Sequence, residues 1–280
     1  MGRLVAADPR YTLIRVEARF HAAGGGLPDL LAGRVSIEDF VRECRGNWWR
    51  RGLRQGRGLQ VVADPERLEA ALEEFQPAFE QDPWEASRRL VRAVLDPAAE
   101  REGKPSWAEV TRPNIGSAPT LQQLFPNARF INMVRDGRAV VAGIINKTDM
   151  TDDPLKALGT WEKRIHAADA AMRATRPGSI LVVSLDDLVA LDRDGTFGRL
   201  ADFLELDDPG PMRTYFDETI SAERSHFGRW RERMPPPEAR RIDRRYRRIL
   251  RSLRRDGVSW VPTPQDGRRR LAGRRVASSA

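Results

Sequence analysis

Phe125-Pro-Asn-Ala-Arg-Phe-Ile-Asn-Met-Val-Arg-Asp-Gly-Arg-Ala-Val-Val-Ala-Gly143 is the stretch whose reading decides the fold. Ala128 to Val134 is a short β-prone run, and Ala139 to Ile145 is an apolar helix, with a charged turn between them. A buried strand ending at Val134 delivers Arg135 at its carboxyl end. Gly137 relaxes the turn, and a helix starting at Arg138 or Ala139 sets free backbone N–H groups beside the guanidinium. A fixed cation next to a helix N-terminus suits a phosphate. Taken alone, the turn reads equally well as a basic residue solvating a strand end.

Outward from this turn the same pattern recurs. Ser179 to Leu185 is a second continuous apolar run, bounded by Pro177-Gly178 and Asp186-Asp187, and Tyr11 to Val16 suggests a third strand. Continuous rather than alternating apolar runs are what a parallel sheet covered on both faces produces. Helices are expected from Ser36 (a capping-box-like start) through Cys44, from Asp64-Pro65 with Leu68, Leu72 and Phe75 in step, and from Trp84 to Leu95. Others follow from Pro154 through Ala168, over Arg199–Leu204 and over Glu238–Leu253. Interleaved helices and strands predict an α/β, three-layer αβα domain with ligands beyond the carboxyl ends of the strands.

At 280 residues the chain is long enough for one large domain or two small ones; a single domain is expected over 1–262, with a basic disordered tail over 263–280. No apolar run is long enough to span a membrane and no secretory core opens the chain, so the expected location is cytoplasmic. Cys44 is the single cysteine, and His21, His166 and His226 lack ligand spacing, so no metal is expected. The net charge of +8 is concentrated in arginines 240, 241, 244, 245, 247, 248, 251, 254 and 255 and in the tail. A solvated helix face accounts for most of it, with attraction of anionic ligands as the functional alternative.

The Phe125–Gly143 stretch resembles the 3'-phosphate-binding segment of PAPS-dependent sulfotransferases. The resemblance implies that Arg135 and the residue eight positions later, here Gly143 where the family has serine, contact the nucleotide's 3'-phosphate. Four other segments resemble the same family in the same order. Tyr11–Leu31 is similar to the stretch after the first helix of bacterial members, and Trp107-Ala-Glu-Val-Thr-Arg-Pro-Asn114 to Trp-x-x-Lys-Thr-Pro-x-Asn, with Val110 in place of lysine. Ile180–Val189 resembles Val-x-Tyr-Glu-Asp-Leu without the tyrosine. Arg224-Ser-His-Phe-Gly-Arg-Trp-Arg231 resembles the C-terminal loop that closes over the 3' end, which adds Arg224, Ser225, Gly228 and Arg229 to the nucleotide site.

The resemblance further implies a sulfotransferase moving a sulfuryl group from PAPS, released as PAP, to a hydroxyl or amine of a carbohydrate, lipid or small metabolite. A base must take the acceptor's proton. The family's Glu-x-x-Phe motif places Glu17 in that role, with His21 and Glu109 as weaker alternatives. Trp48-Trp49 would lie on the acceptor side. In the family a strand and a Pro-Lys/Arg-Ser-Gly-Thr-Thr loop precede the first helix and hold the 5'-phosphosulfate. Met1–Pro9 matches the end of that first helix, and no Gly-x-x-x-x-Gly-Lys pattern occurs in the chain, so that loop is expected to be lacking.

The competing readings are a catalytically inactive remnant acting as a basic binding or structural protein, and a P-loop kinase relative using Asp186 and Asp187 for magnesium. Asp186 as a helix N-cap is the simpler account of that pair. Nucleic acid is disfavoured because the aromatic residues are dispersed among helices, and a homodimer is compatible with the sequence.

Overall fold

The computed structural model describes residues 1–50, 58–145 and 151–261. The expected tail over 263–280 lies outside the described residues. The chain forms two compact units, Met1–Phe130 with 171–179 and 208–215, and Ile131–Ala170 with 180–207 and 216–280.

The first unit opens with α1 (Gly2–Val5) and β1 (Tyr11–Leu13), then α2 (Leu27–Leu31), α3 (Ile37–Arg45) and α4 (Asn47–Arg50). A helical hairpin follows, α5 (Pro65–Gln81) and α6 (Pro83–Arg101), leading to β2 (Ser106–Ala108) and α7 (Ala118–Leu124). The helix starts are written locally. Ser36 Oγ accepts the Asp39 N–H at 3.1 Å. Asp64 accepts from Glu66 and Arg67, and Asp82 from Trp84 and Glu85, each with proline at the first helical position. Leu68, Leu72 and Phe75 of α5 meet Leu90, Val91, Val94 and Leu95 of α6 and Phe40 of α3 in one apolar cluster.

β1 and β2 pair in parallel, Tyr11 opposite Ser106 and Leu13 opposite Ala108. A parallel pair needs a crossover, here the helices between the two strands. Its consequence is positional: the segments leaving both strands, from Ile14 and from Glu109, emerge at the same end of the pair.

The second unit holds β3 (Phe130–Val134) from Ile131 on, α8 (Gly137–Ile144), most of α9 (Pro154–Arg173), β4 (Ile180–Ser184), α10 (Arg193–Leu204), the end of α11 (Gly210–Thr219) from Phe216, and α12 (Pro236–Arg255). β3 pairs with β4, and the Phe130 N–H donates to Ser179 C=O at 2.8 Å, so the strands start together and run parallel. Arg135 and Asp186 therefore leave from one end. α8 begins at Gly137, slightly earlier than the sequence suggests, capped by Asp136 accepting from the Arg138 N–H at 2.8 Å. Glycine is required at 137, because a Cβ there would lie 2.8 Å from the Tyr246 ring and 2.9 Å from the Trp161 ring. α12 buries Ile242, Tyr246, Ile249, Leu250 and Leu253 against Val134, Val141, Leu158 and Trp161. Its arginines at 240, 241, 244, 245, 247, 248, 251, 254 and 255 all lie on the exposed face.

One expectation is corrected. Asp186 makes no side-chain capping bond; Ser184 Oγ accepts the Asp187 N–H at 3.2 Å and a π-helical turn, Asp187–Leu191, follows. Asp186 already has helical backbone, φ −67° and ψ −38°, where a capping residue is extended, and partial burial pushes its carboxyl up to about 6.

Candidate functional site

In the second unit the turn after β3 and a loop far along the chain come together. Arg135 is half-buried, and its Nη2 donates to the Ser225 carbonyl at 2.8 Å. Its Nε is buried and has no partner among the described residues. A buried guanidinium nitrogen left unpaired costs free energy that an anion would recover. The loop from Ser221 to Trp230 is held by short internal turns, including Ser225 N–H to Ser221 C=O at 3.2 Å and Phe227 N–H to Ala222 C=O at 3.0 Å. His226 and Gly228 adopt left-handed backbone, φ 55° and 73°. Glycine takes that conformation at no steric cost, whereas histidine is strained there. Arg224, Gly228 and Arg229 are exposed, and the Ser225 hydroxyl donates to the Ala222 carbonyl at 2.9 Å.

Gly143 lies in the last turn of α8 on its partly exposed side, with Ala139 and Val140. A Cβ there would meet nothing within 4 Å among the described residues. Asp186 adds the local acidity. Burial is the largest cause of its raised value, reinforced by the Asp136 charge and opposed by Arg135.

Sequence reasoning missed the residue that organises this turn. Arg138 is fully buried, pairs with Asp136 and Asp243, and lies against the rings of Trp230 and Tyr246. Burial acts against its charge, but the two carboxylates win and hold it protonated. The final arginine of Arg135-Asp-Gly-Arg138 was visible in the sequence; its carboxylate partner Asp243, in α12, was not.

The first unit gathers the second group of candidates. Glu17 is 16% exposed and pairs with Arg112 at 2.8 Å and Arg19 at 3.3 Å. Next to them, Glu109 is enclosed by donors: Ala18 N–H at 3.3 Å, Thr111 N–H at 2.7 Å, Asn114 Nδ2 at 2.5 Å and the Thr111 hydroxyl. His21 Nε2 lies 3.3 Å from Glu109 Oε2 and 3.1 Å from Asn114 Oδ1. Two acceptors face that nitrogen, so it carries a hydrogen, and Nδ1 is buried with no partner among the described residues. Burial pushes the Glu109 carboxyl up, yet the His21 charge and the donors from His21, Thr111 and Asn114 overcome it and hold it at about 2.

This cluster follows from the parallel pairing of β1 and β2, whose exits bring Glu17–His21 beside Glu109–Asn114. Of the two tryptophans assigned to the acceptor side, Trp48 is buried in the first unit's core and Trp49 packs against it. Among the described residues, no group of three or more His, Cys, Asp or Glu side chains is placed to hold a metal. No helix among them is long and apolar enough to cross a membrane.

A family model described as the Sulfotransferase family matches residues 30–210. The match contains Arg135 and Gly143; it begins after Glu17 and ends before the Arg224–Arg229 loop. No curated protein matches the chain.

Proposed function

The chain belongs to the sulfotransferase family, and from this we propose that it transfers a sulfuryl group from PAPS to a hydroxyl or amine of a carbohydrate, lipid or small metabolite. The observation that carries the nucleotide assignment is Arg135. It stands at a strand's carboxyl end, joined to the Ser225 carbonyl, with a buried Nε still to be satisfied. A 3'-phosphate oxygen supplies the missing acceptor, and guanidinium is the cation best shaped to hold it. Arg224, Ser225, Gly228 and Arg229 then cover the 3' end, and Gly143 faces it without the family's hydroxyl.

PAPS, when bound, supplies the sulfuryl group and leaves as PAP. Glu17 is the base: its carboxylate takes the acceptor's proton as the acceptor oxygen bonds to sulfur and the bond from sulfur to the 5'-phosphate breaks. Arg112 and Arg19 hold that carboxylate in one place, and it stays partly open to solvent.

Calorimetric titration with PAP and with 5'-AMP, which lacks the 3'-phosphate, tests the assignment. Arg135→Ala should weaken PAP by about 10- to 100-fold, the size of a lost charge-assisted hydrogen-bond pair, and leave 5'-AMP unchanged. Equal PAP affinity in the variant would sink the site.

One observation favours a second reading. Arg240, Arg241, Arg244, Arg248, Arg251 and Arg255 carry no ion pair among the described residues and form one exposed basic face on α12. A protein indifferent to PAP that binds polyanions with steep salt dependence would be a basic binding protein of this family instead.

A further inference from the structure

Arg138 has the largest fully buried side chain among the described residues, at 0% exposure. Taking a guanidinium out of water is costly unless every donor finds an acceptor. Here Nε donates to Asp136 Oδ1 at 3.0 Å, Nη2 to Asp136 Oδ2 at 2.6 Å, and Nη1 to Asp243. The faces of the group are used as well. The Trp230 ring centroid lies 4.6 Å from its central carbon and the Tyr246 centroid 5.0 Å. Arg231 also lies against Trp230, at 4.9 Å, and its guanidinium is 4.0 Å from Asp243. One buried cation thus ties together the turn after β3, helix α12 and the residue that ends the Arg224–Arg229 loop.

Arg135, three residues earlier on the same turn, holds the loop at Ser225. The loop is therefore fastened twice to Arg135–Arg138: at Ser225 through an arginine left with an unpaired nitrogen, and at Trp230 through an arginine whose donors are committed. Between the two points lie two left-handed residues, His226 and Gly228, and the exposed Gly228 and Arg229. A loop with such a backbone and exposed basic side chains samples many positions unless its ends are fixed. Every position that cannot receive the nucleotide lowers apparent affinity in proportion to its population.

We propose that Arg138 is a positioning residue for nucleotide binding: its stack on Trp230 holds the 224–229 loop in the nucleotide-competent position without itself touching the nucleotide. This rests on the PAP reading of Arg135. The clamp is built before ligand arrives, whereas Arg135 is completed by it, so the two arginines have separable effects.

The test replaces the clamp's apolar half. Trp230→Leu leaves Arg138 with Asp136 and Asp243 but removes the ring; Trp230→Phe restores a ring face. Trp230→Leu should weaken PAP about tenfold, the worth of a desolvated cation–π contact, and Trp230→Phe should recover most of that. Limited trypsin digestion without ligand reads the loop directly. Cleavage at Arg224 and Arg229 should be several-fold faster in Trp230→Leu than in wild type, with Trp230→Phe close to wild type. Arg138→Lys, which keeps the charge but loses the planar stack, should follow Trp230→Leu in both assays. Unchanged PAP affinity and unchanged cleavage in Trp230→Leu would overturn the proposal. So would equal losses in the Leu and Phe variants in proportion to their melting temperatures, since that is the signature of general destabilisation. If wild type does not bind PAP, the nucleotide reading has failed, and the digestion result alone decides whether the clamp exists.

Discussion

Gly143→Ser is the sharpest perturbation the site offers, because it adds one hydroxyl at a position where the structure leaves room for it. A Cβ at 143 would meet no atom of the described residues within 4 Å, so the substitution brings no steric cost against them. Two gains should separate cleanly. The first is conformational: glycine within a helix costs about 0.5 kcal/mol more than serine, so the folded state should gain roughly that amount. For a chain of this size that raises the melting temperature by about 1 °C. The second gain appears only with ligand. A hydroxyl donating to a charged phosphate oxygen contributes about 1.5–3 kcal/mol, less some ordering of the side chain, or about 10- to 100-fold in PAP affinity. Titrations of PAP and 5'-AMP into wild type, Gly143→Ser and Gly143→Ala read both gains. Gly143→Ala should show the stability gain without the affinity gain, and 5'-AMP should be indifferent to all three. If Gly143→Ser binds PAP no better than Gly143→Ala, position 143 does not face the 3'-phosphate. If 5'-AMP tightens in parallel, the hydroxyl acts elsewhere on the nucleotide.

Buried Glu109 and partly buried Asp186 give opposite dependences on pH. Glu109 is held at about 2, so it adds stability above the ordinary glutamate value near 4.5 that is lost as pH falls toward 2. Glu109→Gln should destabilise the protein at pH 7 by about 3 kcal/mol and flatten urea midpoints across that acid window, because an amide cannot accept from all the donors around it. Asp186 is raised to about 6, so the folded state binds the extra proton and stability falls as pH rises from about 4 to 6. Asp186→Asn should therefore raise the melting temperature at pH 8, by an amount equivalent to about 2 kcal/mol, and change it little at pH 4.5; a gain that is equal at both pH values would contradict burial of the ionised carboxylate.

Much of the architecture was legible because its signals are local. Ser36 and Asp64, the latter followed by proline, each sit where a side-chain oxygen must accept the first helical N–H groups, and both cap in the structure; Asp82 caps α6 ahead of its expected start at Trp84. The run Ile242, Tyr246, Ile249, Leu253 fixes which face of α12 is buried, and the arginines between them follow. β2 escaped notice for the same physical reason: Ser106-Trp-Ala108 is three residues long, too short to show a period, and exists because β1 offers it a parallel register. Asp186 shows how a local rule yields to its surroundings. Aspartate after a strand and before a helical turn has the signature of a cap, but Asp186 is itself already helical, and Ser184 takes the bond from the Asp187 N–H.

The candidate site divides along the same line. Arg135 could be placed from sequence, because a strand's last residue before a glycine-containing turn has one direction in which to emerge. Arg138, three residues on, has the same chemistry and the opposite fate, and the deciding facts lie in Trp230, Asp243 and Tyr246. Composition assigns an arginine to solvent by default; only distant acceptors and ring faces can make its burial affordable. Glu17 and Glu109 repeat the lesson in the first unit. Glu17 stands in a recognisable motif, whereas Glu109 is buried and ionised because Thr111, Asn114, His21 and the Ala18 N–H converge on it. The donors at Ala18 and, through Thr111, at Arg19 are the two backbone groups that follow Glu17, so the buried carboxylate fixes the chain on which the exposed one is carried. Each unit sets a buried ion near the like-charged residue that meets ligand under the sulfotransferase reading: Glu109 fixes the backbone that follows Glu17, and Arg138 stacks on Trp230 beside the loop that Arg135 joins at Ser225. Sequence points to the outer member of each pair; the inner one is defined by what folding brings around it.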